Sequence, residues 1–137
     1  MLDSRLPSVG LAVALAFAEN YNHSLYISQT FIGSDEELKV KRRKFKPTHM
    51  ERTIFGDASG DLLQNVVNTL GVGKVGMLAC WEHTQPLLKF NAFNQNEEIH
   101  VAAWLPVFNP EEGPGLWSIS REGSLCIPCL PTRSVVH

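Results

Sequence analysis

A chain of 137 residues suits one domain with room for a buried core, and 44% hydrophobic against 19% charged residues excludes an intrinsically disordered polymer. A formal charge of −2 argues against a general nucleic-acid or membrane-surface binder, although seven of the twelve Lys and Arg residues fall between Lys39 and Arg52. The three cysteines, Cys80, Cys126 and Cys129, come with no secretory signature, so they do not describe a disulfide framework and point to a reducing compartment, the cytoplasm by default.

In chain order, residues 9–18 are apolar but too few to span a bilayer. With Asp3 ahead of them they read as a strand, centred on residues 11–17 and buried on both faces, rather than a targeting segment. Glu19, Asn20, Tyr21 and Asn22 supply turn chemistry, and residues 24–32 carry β-branched and aromatic side chains at strand density until Gly33-Ser34-Asp35 ends them, so the two segments predict a hairpin. A further extended stretch runs from Lys39 to Lys46, where Pro47 stops it. Residues 51–68 give mixed signals, with Gly56, Ser59 and Gly60 marking loop. Residues 75–80 form an apolar run that predicts a central strand. Pro86 suits the first turn of a helix carrying Leu87, Leu88, Phe90, Ala92 and Phe93 at helical spacing as far as Glu97. Residues 99–104 are the next strand, which makes a βαβ unit and favours an α/β fold with helices on a sheet. Residues 109–115 are loop by composition, and residues 124–137 show no useful period.

Cys80 falls at the C-terminal end of the predicted central strand, where open α/β sheets present reactive groups, and a following helix with a nearby cation would favour thiolate. The plainer reading is a small buried hydrophobe. Lys44 lies in a basic run that by itself reads as a solvated face, yet a lysine at a proline-fixed loop entrance with Glu51 behind it can face an anionic intermediate. For Glu51 and Arg52 the plainer reading is a surface ion pair.

Two long strings carry a resemblance: RKFKPTHMERTIFG at residues 43–56 and GKVGMLACWEH at residues 73–83. They resemble, in order, the lysine-bearing and cysteine-bearing segments of the nitrilase family of carbon–nitrogen hydrolases. HVAAW at residues 100–104 is similar to the strand that follows in its aromatic and arylacetonitrile-cleaving branch, with cyanide hydratases close by, and the resemblance covers roughly residues 11–123. It implies a partial nitrilase-type α-β-β-α sandwich over residues 1–123, lacking N-terminal and C-terminal strands, and a divergent, unstructured tail over residues 124–137. It also implies that Cys80 is the nucleophile forming a thioimidate and then a thioester, that Lys44 is the catalytic lysine with Lys46 a surface neighbour, and that Glu51 positions Lys44. The Trp81 N–H would stabilise developing charge, Glu82 and His83 would support, and His49 would be a satisfied loop histidine. The family's general base, an upstream glutamate in a Pro-Glu motif, has no counterpart here, since Glu19 aligns with the hairpin; the expectation is impaired turnover.

Three functional classes follow: a nitrile hydrolase giving acid and ammonia; a catalytically silent remnant acting as a binding or assembly module or having no function; and a metal or redox protein using Cys126 and Cys129. The nitrilase reading needs no cofactor or metal. Its partners would be a small-molecule nitrile and a second copy or a full-length relative, with no nucleic acid and no membrane.

Overall fold

The computed structural model describes residues 10–104 and 134–136. Strand β1 (Val13–Tyr21) turns through Asn22 and His23, both with positive φ, into β2 (Ser24–Ile32), with Tyr21 opposite Ser24. Two left-handed residues in a two-residue loop match the twist of the flanking strands, and this closes the predicted hairpin. β3 (Leu38–Arg43) continues the antiparallel meander, so one sheet has the order β1-β2-β3. The second sheet has the order β4-β5-β6-β7, from β4 (Val66–Thr69), β5 (Gly73–Ala79), β6 (Ile99–Ala103) and β7 (Ser134–Val136). β5 and β6 are parallel and joined through helix α1 (Pro86–Asn94), the βαβ unit that the sequence predicts.

Strand alternation assigns the layers. Phe31 of β2 packs with Val75 and Met77 of β5, with Val40, Ile99 and Val101 around them, so the first core lies between the sheets. Ala102, one residue out of phase with Val101, packs instead with Phe93 of α1 and with Trp104. The same alternation sorts the basic run. Val40, Arg42 and Lys44 share a parity, and Arg42 and Lys44 are buried, whereas Lys41 and Arg43 reach Glu19 on the other face. There Arg43 lies over the rings of Tyr21 and Tyr26, and it holds the Glu19 carboxyl far below the usual carboxylate range.

Several expectations change. β1 is not buried on both faces: Leu15 and Phe17 are exposed, because among the described residues β1 pairs only with β2. Helix α1 ends at Asn94 rather than Glu97, and Leu87 and Phe90 are 82% and 65% exposed instead of facing the core. The mixed stretch contains the short strand β4 and two 3-10 helices, His49–Thr53 and Gly60–Leu63. Within residues 124–137, Ser134–Val136 pair with β6 as β7, and the remaining residues lie outside those described.

Gly76 stands opposite His100, and a Cβ there would fall 1.7 Å from Glu97 Oε2. The carboxylate therefore occupies the space that glycine leaves open. Gly76→Ala is expected to destabilise the chain by about 1–3 kcal/mol through overpacking; a urea midpoint equal to that of the parent chain would contradict this placement.

Candidate active site

β5 ends at Ala79, and the chain turns at once into a 3-10 helix, Cys80–Thr84. Cys80 sits at φ 49°. A left-handed non-glycine residue costs roughly 1–2 kcal/mol and persists only where its surroundings hold it. Two side chains from its own turn do so. Glu82 Oε2 accepts the Ala79 N–H at 2.9 Å, and His83 Nδ1 lies 2.6 Å from the Cys80 carbonyl oxygen, to which it donates. The Trp81 backbone N–H lies near enough to the Cys80 thiol to favour its charged form.

Lys44 follows β3 directly, and its side chain is only 1% exposed. Its Nζ donates to Glu51 Oε2 at 2.6 Å and to Thr48 Oγ1 at 3.3 Å. The same Glu51 oxygen accepts the Thr48 N–H at 2.7 Å and its hydroxyl at 2.9 Å. A carboxylate three residues into a helical turn that reaches back to the residue preceding it is one half of a capping box, and Glu51 and Glu82 both use it. Burial pushes the Glu51 carboxyl up, but hydrogen bonds from Lys44 and Thr48 outweigh it and leave the group below its ordinary value.

Glu82 joins the two halves. Its carboxylate accepts both terminal nitrogens of Arg42, at 2.7 and 2.8 Å, together with the Phe45 N–H at 2.7 Å. Arg42 also donates to Gln29, whose amide reaches the Leu78 carbonyl. One buried carboxylate thus ties the residue after Lys44 to the residue before Cys80. Lys44 and Glu51 come close enough to act electrostatically on the thiol although 80 − 44 = 36 positions separate Lys44 from Cys80.

The thiol itself departs from the sequence expectation. Burial raises its pKa above the ordinary value, Glu51 and Glu82 add to that, and the opposing pull of Lys44 and the Trp81 N–H is smaller. Desolvation disfavours the charged form more than one cation restores it. At about pH 8.5, the pKa of an unperturbed thiol, Cys80 should therefore be alkylated by iodoacetamide more slowly in the folded chain than in urea, with its midpoint displaced to higher pH. A midpoint at or below the ordinary value would contradict this.

The other predicted residues also find places. The Trp81 side chain is exposed, whereas Glu82 and His83 are buried. His49 is exposed, and Lys46 is an exposed partner of Asp57. Glu51 pairs with Lys44 rather than with Arg52, which donates to the Pro47 carbonyl. Cys126 and Cys129 lie outside the described residues, among which no cluster of His, Cys, Asp and Glu is arranged to hold a metal. No helix among the described residues is long and apolar enough to cross a membrane. Sequence reasoning missed Arg42, Gln29, Glu97 and His100; the one available signal was the strand parity of the basic run.

The carbon-nitrogen hydrolase family model matches residues 7–123. The chain belongs to that family. An arylacetonitrilase of Hypocrea virens is 64% identical over 115 residues, which are 83% of this chain and 34% of that protein. One of Aspergillus kawachii is 56% identical over 117 residues, 85% of this chain and 35% of that protein. The chain spans about a third of the length of these curated relatives. Among solved structures, a carbon-nitrogen hydrolase of Helicobacter pylori superposes with a TM-score of 0.64 at 18% identity, covering 84% of this chain and 43% of that one. Saccharomyces cerevisiae Nit3, a member of the nitrilase superfamily, gives 0.59 at 20% identity, covering 80% and 39%. These neighbours share the α/β fold, and the chain holds part of it.

Proposed function

We propose that Cys80 is the nucleophile of a nitrile-hydrolysing site and that arylacetonitriles are its substrate class, as the names of the relatives suggest. The observation that supports this best is the convergence of a buried ammonium, Lys44, and a backbone N–H, Trp81, on a thiol held in a left-handed turn. The sulfur attacks the nitrile carbon, one C–N π bond breaks, and the nitrogen takes up the thiol proton to give a thioimidate. Water adds, ammonia leaves, and a second water cleaves the thioester to the acid. Lys44 and the Trp81 N–H stabilise the charge that develops on nitrogen and then on oxygen. Glu51 holds Lys44, and Glu82 and His83 hold the turn.

Proton transfer is the weak step. Glu51 is engaged by Lys44 and Thr48, Glu82 by Arg42 and two amides, and Glu19 by Arg43, Lys41 and Ser28. The thiol stays protonated at neutral pH, so turnover needs a base, a contribution on the order of a hundred- to ten-thousand-fold. The 137-residue chain by itself is therefore expected to release less ammonia than one molecule per chain from phenylacetonitrile or cyanide. Multiple turnover abolished by Cys80→Ala would show that one of these carboxylates serves as base.

The exposed Leu15, Phe17 and Tyr21 of β1 favour a second reading, in which the chain acts as an assembly module with a further copy or a longer relative. Under that reading Cys80→Ala leaves function intact.

A further inference from the structure

Behind the nucleophile lies a buried chain of acid and imidazole groups, of which the reaction above uses only His83, to hold the turn. Glu97 Oε2 is 2.9 Å from His100 Nδ1, His100 Nε2 is 3.0 Å from His83 Nε2, and His83 Nδ1 is 2.6 Å from the Cys80 carbonyl oxygen. Glu97, His100 and His83 are all buried. His83 also stacks on Trp104, and the charges bearing on it besides His100 are Glu82, next in sequence, and Arg42 from β3. Glu97 lies against Gly76 of β5.

These three hydrogen bonds need three protons, whereas two neutral imidazoles and a carboxylate supply two. The Cys80 carbonyl can only accept, so His83 Nδ1 carries a proton. Burial lowers the His83 pKa to about 4, so its Nε2 is bare and accepts from His100 Nε2. A proton must then lie between His100 Nδ1 and Glu97 Oε2, because two bare lone pairs would repel at that distance. Glu97 Oε1 finds no donor among the described residues, which an unneutralised buried carboxylate would tolerate poorly.

We infer that Glu97, His100 and His83 form a positioning relay that retains one extra proton and uses it to fix the Cys80–Trp81 peptide plane, aiming the Trp81 N–H at the reacting atoms. The carbonyl that His83 holds and the N–H that faces the thiol belong to one trans peptide unit, so pinning one end orients the other. A hydrogen bond to that carbonyl also polarises the N–H as a donor. The relay deepens the proposed function, since it rests on Cys80 being the nucleophile, but its test needs no nitrile.

The test has two readouts on the 137-residue chain. Nitrogen-15 spectra of its histidines at about pH 7 are expected to show His83 as the Nδ1–H tautomer and His100 protonated at Nε2; His83 protonated at Nε2 alone would overturn the relay. The second readout compares acylation of Cys80 by an activated phenylacetate ester, which needs the Trp81 donor, with alkylation by iodoacetamide, which forms no oxyanion. Glu97→Leu should slow acylation by about tenfold, part of the effect of losing an oxyanion donor, and slow alkylation distinctly less, since alkylation loses only the pull of the Trp81 N–H on the thiol. Glu97→Gln should restore acylation, because its amide donates permanently to His100 Nδ1. Equal loss in both reactions, no loss, or a Gln variant as impaired as the Leu variant would refute the inference. If Glu97→Leu does not fold, the tautomers and the Gln variant decide. Acylation that persists alongside an absence of nitrile hydrolysis would count against the proposed substrate and not against the relay.

Discussion

A Glu82→Ala chain is expected to lose its cooperative urea transition and to be largely unfolded at about 25 °C. The substitution strands the Arg42 guanidinium, whose side chain is nearly inaccessible, with Gln29 as its remaining described partner, and removes the acceptor from the Ala79 and Phe45 amides. Breaking a buried ion pair from one side costs about 3–5 kcal/mol, and each unsatisfied buried amide about 1–3 kcal/mol. Against a total stability of roughly 5–15 kcal/mol that loss dominates. Replacing both partners, Arg42→Met with Glu82→Met, should recover part of it, since no buried charge is left alone. A Glu82→Ala transition within about 1 kcal/mol of the parent would show that Glu82 does not tie the two sheets together.

Lys44→Met should behave in the opposite manner, leaving the fold intact while disabling the site. The methionine fills most of the volume, and Glu51 keeps its two hydrogen bonds from Thr48 at a position that solvent partly reaches. The chemistry suffers twice. Lys44 is one of the two influences that pull the Cys80 pKa down, so the thiol becomes harder to ionise. The charge of the intermediate also loses a donor, worth about a hundred- to a thousandfold in rate. Acylation of Cys80 by an activated ester should fall by that order with the urea midpoint little changed. A loss below tenfold would remove Lys44 from the reacting centre.

Much of this arrangement is legible from the chain and some is not, for physical reasons. The apolar run before Cys80 and the Pro86 start of α1 are local signals, and both elements form, the strand as Gly73–Ala79 and the helix from Pro86 only as far as Asn94. β4 is hard to read because it has four residues, follows Asn65 and is broken in character by Asn68. The burial of β1 depends on what covers its free edge, which no local pattern encodes. Arg42 is hidden in the basic run: a solvated face and a half-buried strand share that composition, and only parity with the partly buried Val40 and the buried Lys44 separates them. The direction of the Cys80 shift is likewise tertiary, since the cation that favours thiolate comes from the separate Lys44 motif and the desolvation that defeats it comes from packing.

If Cys80 is the nucleophile, assisted by Lys44 and the Trp81 N–H, it should form a covalent adduct with a nitrile. Intact-mass spectrometry after incubation of the 137-residue chain with phenylacetonitrile, followed by peptide mapping, tests it most directly. One added nitrile per chain is expected, mapped to Cys80, lost in Cys80→Ala and much slower in Lys44→Met. Modification confined to Cys126 or Cys129, or an adduct that forms equally well without Lys44, would contradict it.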